Sequence, residues 1–188
     1  DTKGELVVPA IYDGAYVFRN GFAHITVGPY AQGTKNRRHG FVDTQGNLAV
    51  PAKFEDARSF GSDGLAAVRV GEHWGFINIK GEIAIEPMFD DVQNSPESVF
   101  NSFGIAPVKR GNQWILIDAN GKQVGHAEGD SIGEFNEDGL AVIGQGQMLY
   151  GRRAGVINTK GEYVFKPQFD RFLGYKNGFA QVSIDNKW

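Results

Sequence analysis

The chain has 188 residues, a formal net charge of −3 and no cysteine. That length suffices for one or two domains with a sizeable core. The acidic balance argues against general binding to nucleic acid or a membrane surface, which needs a basic field, and the lack of cysteine removes disulfides and zinc–thiolate sites.

No apolar run approaches the length of a membrane span. Glycine is heavy at 26 residues and phenylalanine at 14, and periodic runs of helix formers are scarce. Short apolar stretches punctuated by glycine point to strands and turns. The chain opens on Asp1 rather than methionine, so a processed or trimmed N-terminus is expected, and a lost signal peptide would leave no trace.

The predicted elements recur. Glycines at Gly4, Gly46, Gly81, Gly121 and Gly161 recur at intervals of about 40 residues. Each is followed by a short apolar segment: Leu6–Val8, Leu48–Val50, Ile83–Ile85, Val124 alone, and Tyr163–Phe165. A proline (Pro9, Pro51, Pro87, Pro167) is expected to stop that strand, because it cannot donate to a ladder. An aromatic and an acid come next, as in Tyr12-Asp13, Phe54-Glu55, Phe89-Asp90 and Phe169-Asp170. A further aromatic stands at Phe18, Phe60, Phe100, Phe135 or Tyr175. A second strand is opened by glycine, as in Gly64-Leu65-Ala66-Ala67-Val68, with residues two apart on one face. The third strand reads His73-Trp74-Gly75-Phe76-Ile77-Asn78, and a glycine turn then leads to the next unit.

Proline-x-aromatic-acid, Gly-Leu-Ala-x-Val and Trp-Gly-aromatic-Ile-Asp/Asn, repeated over the whole chain, resemble the WG (or KWG) repeat family of bacteria. The resemblance implies repeats used for interaction and no shared catalytic residues. Tryptophan is replaced by His39 in the first unit and Ala154 in the fourth, and the glycine after it by Ile115 in the third. The fourth unit has His126 and Gly129 where the others have proline and an aromatic.

The fold class expected is all-β. Tandem repeats of about three short antiparallel strands, residues 1–188 as a single domain, would have units at about 4–45, 46–80, 81–120, 121–160 and an incomplete 161–188. One unit cannot bury its apolar face alone, so neighbours stack, either as a propeller-like ring or as an open solenoid. The phase of the repeat at the two ends suits a ring or a piece of a longer array. The recurring aromatics are read as core, with Trp74 and Trp114 packed on the following unit.

The acids Asp13, Glu55, Asp90, Asp130 and Asp170 suggest a ring of carboxylates, but their recurrence points instead to acids that each cap a turn through their own backbone. His24, His39, His73 and His126 lack metal-ligand spacing. No Ser-His-Asp order, nucleophile elbow, phosphate loop or dinucleotide fingerprint is present, so no catalytic residue, metal or cofactor is assigned. The sharper signal lies where the pattern breaks. The first unit has an enlarged hairpin with Tyr30, Arg37 and Arg38, and the fourth has one with Tyr150, Arg152 and Arg153. Arginine pairs can clamp a carboxylate or phosphate, and loops carry binding more than scaffolds do. The insertion 91–100 is a second loop candidate.

These features favour a non-enzymatic module that binds a protein partner, in an envelope, secretion or toxin-neutralising context, through loops or a concave face. A glycan- or peptidoglycan-binding module is the first alternative and a glycoside-cleaving enzyme the second. The compartment, whether envelope, secreted or cytoplasmic, is left open.

Overall fold

A computed structural model describes residues 3–28, 37–93, 99–146, 153–176 and 179–188. The described residues form strands and turns. The first sheet contains β1 (Gly14–Ala15), β2 (Phe22–Val27), β3 (Arg38–Asp43) and β4 (Leu48–Phe54). The second contains β5 (Asp56–Ala57), β6 (Ala66–Val70), β7 (His73–Ile77) and β8 (Ile83–Phe89). The third contains β9 (Asp91–Val92), β10 (Ile105–Arg110), β11 (Gln113–Asp118) and β12 (Gln123–Ala127). The fourth contains β13 (Ser131–Phe135), β14 (Leu140–Gln145), β15 (Arg153–Asn158) and β16 (Tyr163–Phe169). A two-stranded sheet of β17 (Arg171–Lys176) and β18 (Phe179–Ser183) follows. Every sheet is an antiparallel meander in chain order. Two compact units result, one carrying β1 to β8 and the other β9 to β18.

Each full sheet thus has four strands rather than three. The extra strand is the two-residue ribbon after the repeated acid in the first three sheets, and β13 in the fourth. It lies beyond the Pro-x-aromatic stretch, so the hydrogen-bonded sheets run about ten residues out of phase with the sequence repeat. Leu6–Val8 forms no strand.

The prolines do not end the strands. Pro51, Pro87 and Pro167 lie inside β4, β8 and β16, each on the outer edge of its sheet. The ladder shows why. Trp74 pairs with Phe89 and Phe76 with Ile85, so β8 spends two residues more than β7 over the same span. Such a bulge leaves residues outside the ladder, where a missing N–H costs nothing. The bulge presses on the glycine of the Trp-Gly motif. A Cβ on Gly75 would stand 2.6 Å from Ile85 O and 2.7 Å from Pro87 N, and one on Gly155 would stand 2.8 Å from Phe165 O and from Pro167 N.

The third sheet lacks both partners of this contact. Ile115 replaces the glycine, β12 has no proline, and Trp114, Ile115 and Leu116 pair in unbroken register with Ala127, His126 and Gly125. Trp114 and Ala127 are thirteen residues apart, whereas Trp74 and Phe89 are fifteen apart. Glycine, bulge and proline are one device, present or absent together.

The central strands are buried on both faces. Ala66, Ala67 and Val68 are all buried, so the first three residues of β6 are covered on both faces, while Val70 at its end is exposed. One cluster joins Phe41, Val50 and Phe54 of the first sheet to Ala66, Val68 and Ile77 of the second, with Phe60 tilted against Phe41 and Phe22. Another joins Ala127 to Ala141, Ile143 and Ile157 of the fourth sheet. Of the recurring aromatics, Phe54, Phe60, Phe89 and Phe100 are buried core, Tyr12, Phe135 and Phe169 are half-buried, and Phe18 is exposed.

The Asp/Asn that ends the signature closes the hairpin after it. The Asn78 side-chain oxygen accepts from Lys80 N–H at 2.9 Å and Glu82 N–H at 3.1 Å, and Asp43, Asp118 and Asn158 repeat the arrangement. Asn78→Ala is expected to cost about 1 kcal/mol in urea unfolding, because two turn amides lose their acceptor.

Candidate functional site

The repeated acids are structural, though not through their own backbone. Asp13 Oδ2 accepts from Gly28 N–H at 2.8 Å, Glu55 Oε2 from Gly71 N–H at 3.1 Å, and Asp130 Oδ2 from Gly146 N–H at 2.7 Å. Asp170 does the same for Asn186 at 3.2 Å. Each carboxylate therefore caps the central hairpin turn about 15 residues further on.

A basic residue precedes the tryptophan position in three sheets and reaches the acid that ends the same sheet. Arg38 lies 3.9 Å from Glu55, His73 lies 3.7 Å from Asp90, and Arg153 bonds Asp170. Of the six residues singled out from sequence, Arg37, Arg38 and Arg153 are described. Tyr30, Tyr150 and Arg152 lie outside the described residues, as do 94–98 of the third-unit insertion. Arg38 and Arg153 open β3 and β15, at equivalent places in their sheets. Arg38 is half-buried and Arg153 exposed, with 41% and 45% of their side-chain surface accessible.

The position after these residues is the tryptophan slot, which holds His39, Trp74, Trp114 and Ala154 in the four sheets. In the second sheet Trp74 is 4% exposed and has two guanidinium groups over its ring, Arg58 at 4.5 Å and Arg69 at 6.0 Å from the ring centre. In the third sheet Trp114 packs on the cluster of Ala141, Ile143 and Ile157, and its Nε1–H donates to the Asp130 carbonyl at 3.3 Å. That is the packing on a following sheet that the sequence predicted.

In the first sheet His39 occupies the slot. Its Nδ1 is 2.8 Å from Nε2 of His24, and the His24 ring stacks on Tyr16 at 4.6 Å. Asp56 Oδ1 lies 3.8 Å from His39 Nδ1 and 3.1 Å from the Arg58 guanidinium. Burial, then the neighbouring His39, lower the His24 pKa from 6.5 to about 4, against the opposing pull of Asp56. Burial also lowers that of His39. Among the described residues no group of three or more histidine or acidic side chains is placed to hold a metal ion.

In the fourth sheet the slot holds Ala154, and a hollow of about 420 Å³ opens there. Ser131, Gly133, Gly144, Asp170 and Phe172 line it together with Ala154.

A family model described as the WG containing repeat matches residues 1–28, 40–72, 74–114 and 155–188. The chain belongs to the WG-repeat family. The longest stretches that the match passes over, 29–39 and 115–154, contain the two enlarged hairpins and both slots that lack tryptophan. No curated protein matches the chain. Within the WG repeats, then, the second sheet follows the family pattern most closely, and the first and fourth sheets depart from it at corresponding places. The histidine pair and the hollow escaped sequence reasoning. The signal for both was the missing tryptophan, but the neighbouring residues His24, Gly133 and Gly144 are found only once the strands are paired.

Proposed function

We propose that this WG-repeat chain is a non-enzymatic module that binds a protein partner through loops or a concave face, and that each broken repeat, the first sheet and the fourth, carries binding residues of its own. The observation that carries this reading is the coincidence, in both sheets, of a missing tryptophan, an enlarged hairpin and an arginine opening the third strand, with 41% and 45% of its side-chain surface accessible. Arg38 and Arg153 rest against Glu55 and Asp170 at the surface. An exposed ion pair contributes only about 0–1 kcal/mol, so a partner carboxylate can replace the chain's own at little cost. An envelope, secretion or toxin-neutralising setting is the proposed context. A closed ring and an open solenoid are the two ways such meanders are proposed to stack.

Two observations favour this reading over the alternatives. A sugar-stacking platform needs exposed tryptophan; Trp74 is buried and Trp114 is half-buried against the cluster of the fourth sheet, which leaves Trp188 as the exposed one. A glycosidase needs two carboxylates facing one cleft, and the repeated acids at Asp13, Glu55, Asp130 and Asp170 each serve a turn of their own.

The test is capture from native lysate and culture supernatant with the wild type and with Arg37, Arg38, Arg152 and Arg153 all changed to alanine. The expected result is one specifically retained protein whose binding falls at least about tenfold in the variant, with its unfolding midpoint little changed. Equal retention by the folded variant would remove the arginines from the surface.

A further inference from the structure

The hollow at Ala154 has small residues at three of its walls. In the second sheet the ladder sets Arg69 opposite Trp74 and Asp56 opposite Arg69, which puts Arg58 two residues along the short strand. The same register in the fourth sheet sets Gly144 opposite Ala154 and Ser131 opposite Gly144, which puts Gly133 in the place of Arg58. The indole and both flanking guanidinium groups of the second sheet are thus Ala154, Gly133 and Gly144 in the fourth. These are the residues that line the hollow.

Three small residues at one site, where the second sheet has three large ones, leave side-chain volume unfilled and forgo the packing it would supply. The rest of the site has the character of a receptor. Ile132, Ile143 and Phe172 supply apolar walls, and Asp170 and Arg171 supply polar ones. The volume falls within the roughly 300–1,000 Å³ typical of small-ligand pockets.

The neighbouring sheet shows what shape fits. Trp114 fills the same position in the third sheet and donates its indole N–H to the Asp130 carbonyl. Asp170 occupies the place of Asp130 by register, since Asp130 N–H donates to Gly144 O and Asp170 N–H to the equivalent Ser183 O. Asp170 also lines the hollow. The fourth sheet therefore has a slot with apolar and polar walls at the tryptophan position, and by register Asp170 stands there where Asp130 stands for Trp114.

We infer that the Ala154 slot receives an indole ring, the side chain of a tryptophan presented by the protein partner. This deepens the proposed function and rests on it: the partner completes the repeat with the residue the repeat lacks.

The experiment is an amide NMR titration of the whole chain with three probes: N-acetyl-Gly-Trp-Gly-amide, its leucine counterpart and free indole. The tryptophan peptide is expected to shift the amides of Gly133, Gly144 and Ala154, at least tenfold more tightly than the leucine peptide. Ala154→Trp, which restores the repeat, is expected to raise the unfolding midpoint and weaken peptide binding at least tenfold. Ala154→Leu, which fills the slot with a smaller group, should weaken it too if the tryptophan variant does not fold. No shift with the tryptophan peptide, or undiminished binding by a folded filled variant, would overturn the inference. Indole binding more tightly than the peptide would assign the slot to a free indole compound and overturn the polypeptide source. If the peptide fails while the arginine-dependent capture persists, this inference falls and the proposed function stands; loss of both overturns both.

Discussion

Changing Gly75 to alanine is expected to destabilise the chain by about 3 kcal/mol, the upper part of the range for forcing atoms into a packed site. The added methyl would meet the backbone of β8 at 2.6 to 2.9 Å, and backbone cannot rotate aside as a side chain can. The third sheet supplies the internal control, because there Ile115 is tolerated where the facing strand is two residues shorter. Gly75→Ile with Glu86 and Pro87 deleted should therefore be more stable than Gly75→Ile alone. Urea unfolding measures both. A loss below about 1 kcal/mol for Gly75→Ala would mean that the bulge yields, and the account of the Trp-Gly motif as a seat for that bulge would fail.

The second large effect is a loss of stability on mild acidification. His24 is 8% exposed and faces His39, Tyr16 and Phe41, with Asp56 and Arg58 beside the pair. Its pKa is about 4 in the folded chain and near 6.5 once unfolded. The unfolded state therefore takes up the proton first as pH falls. The His24 contribution is fully present above pH 6.5 and is lost progressively between 6.5 and 4, by roughly 3 kcal/mol in all. His39 is shifted in the same direction and adds to the loss. The double change His24→Ala with His39→Trp, which gives the first sheet the residues of the second, is expected to flatten this pH dependence. Denaturant midpoints at pH 7, 6, 5 and 4.5 test it. An unchanged slope in the double variant would place the acid sensitivity elsewhere.

Much of the fold is legible in the sequence because its signals are local. The hairpin after Asn78 is announced by Asn-x-x-Gly, whose side-chain oxygen closes the turn on amides two and four residues ahead. The strand after Gly64 is announced by an apolar run. What the sequence conceals depends on cross-strand partners. The two-residue strands Asp56–Ala57 and Asp91–Val92 are too short to show a period. Pro87 reads as a strand breaker unless the bulge around it is known. The arginines singled out at Arg38 and Arg153 look like free clamps in sequence; in the structure each lies against an acid of its own sheet. Ala154 is visible as a missing tryptophan, but only the ladder brings Gly133 and Gly144 to its side and turns one small residue into a site.

The four sheets therefore divide by what fills one slot. Tryptophan in the second and third sheets is packing, while histidine in the first and alanine in the fourth mark the places where the repeat has been given up. The most direct measurement is amide hydrogen exchange on the chain alone and bound to the protein it captures. The account predicts protection at β3 and β15, around Arg38 to Gly40 and Arg153 to Gly155, with the central hairpins of the second and third sheets unchanged. Protection confined to those two hairpins, around Gly71 and Gly111, would contradict it.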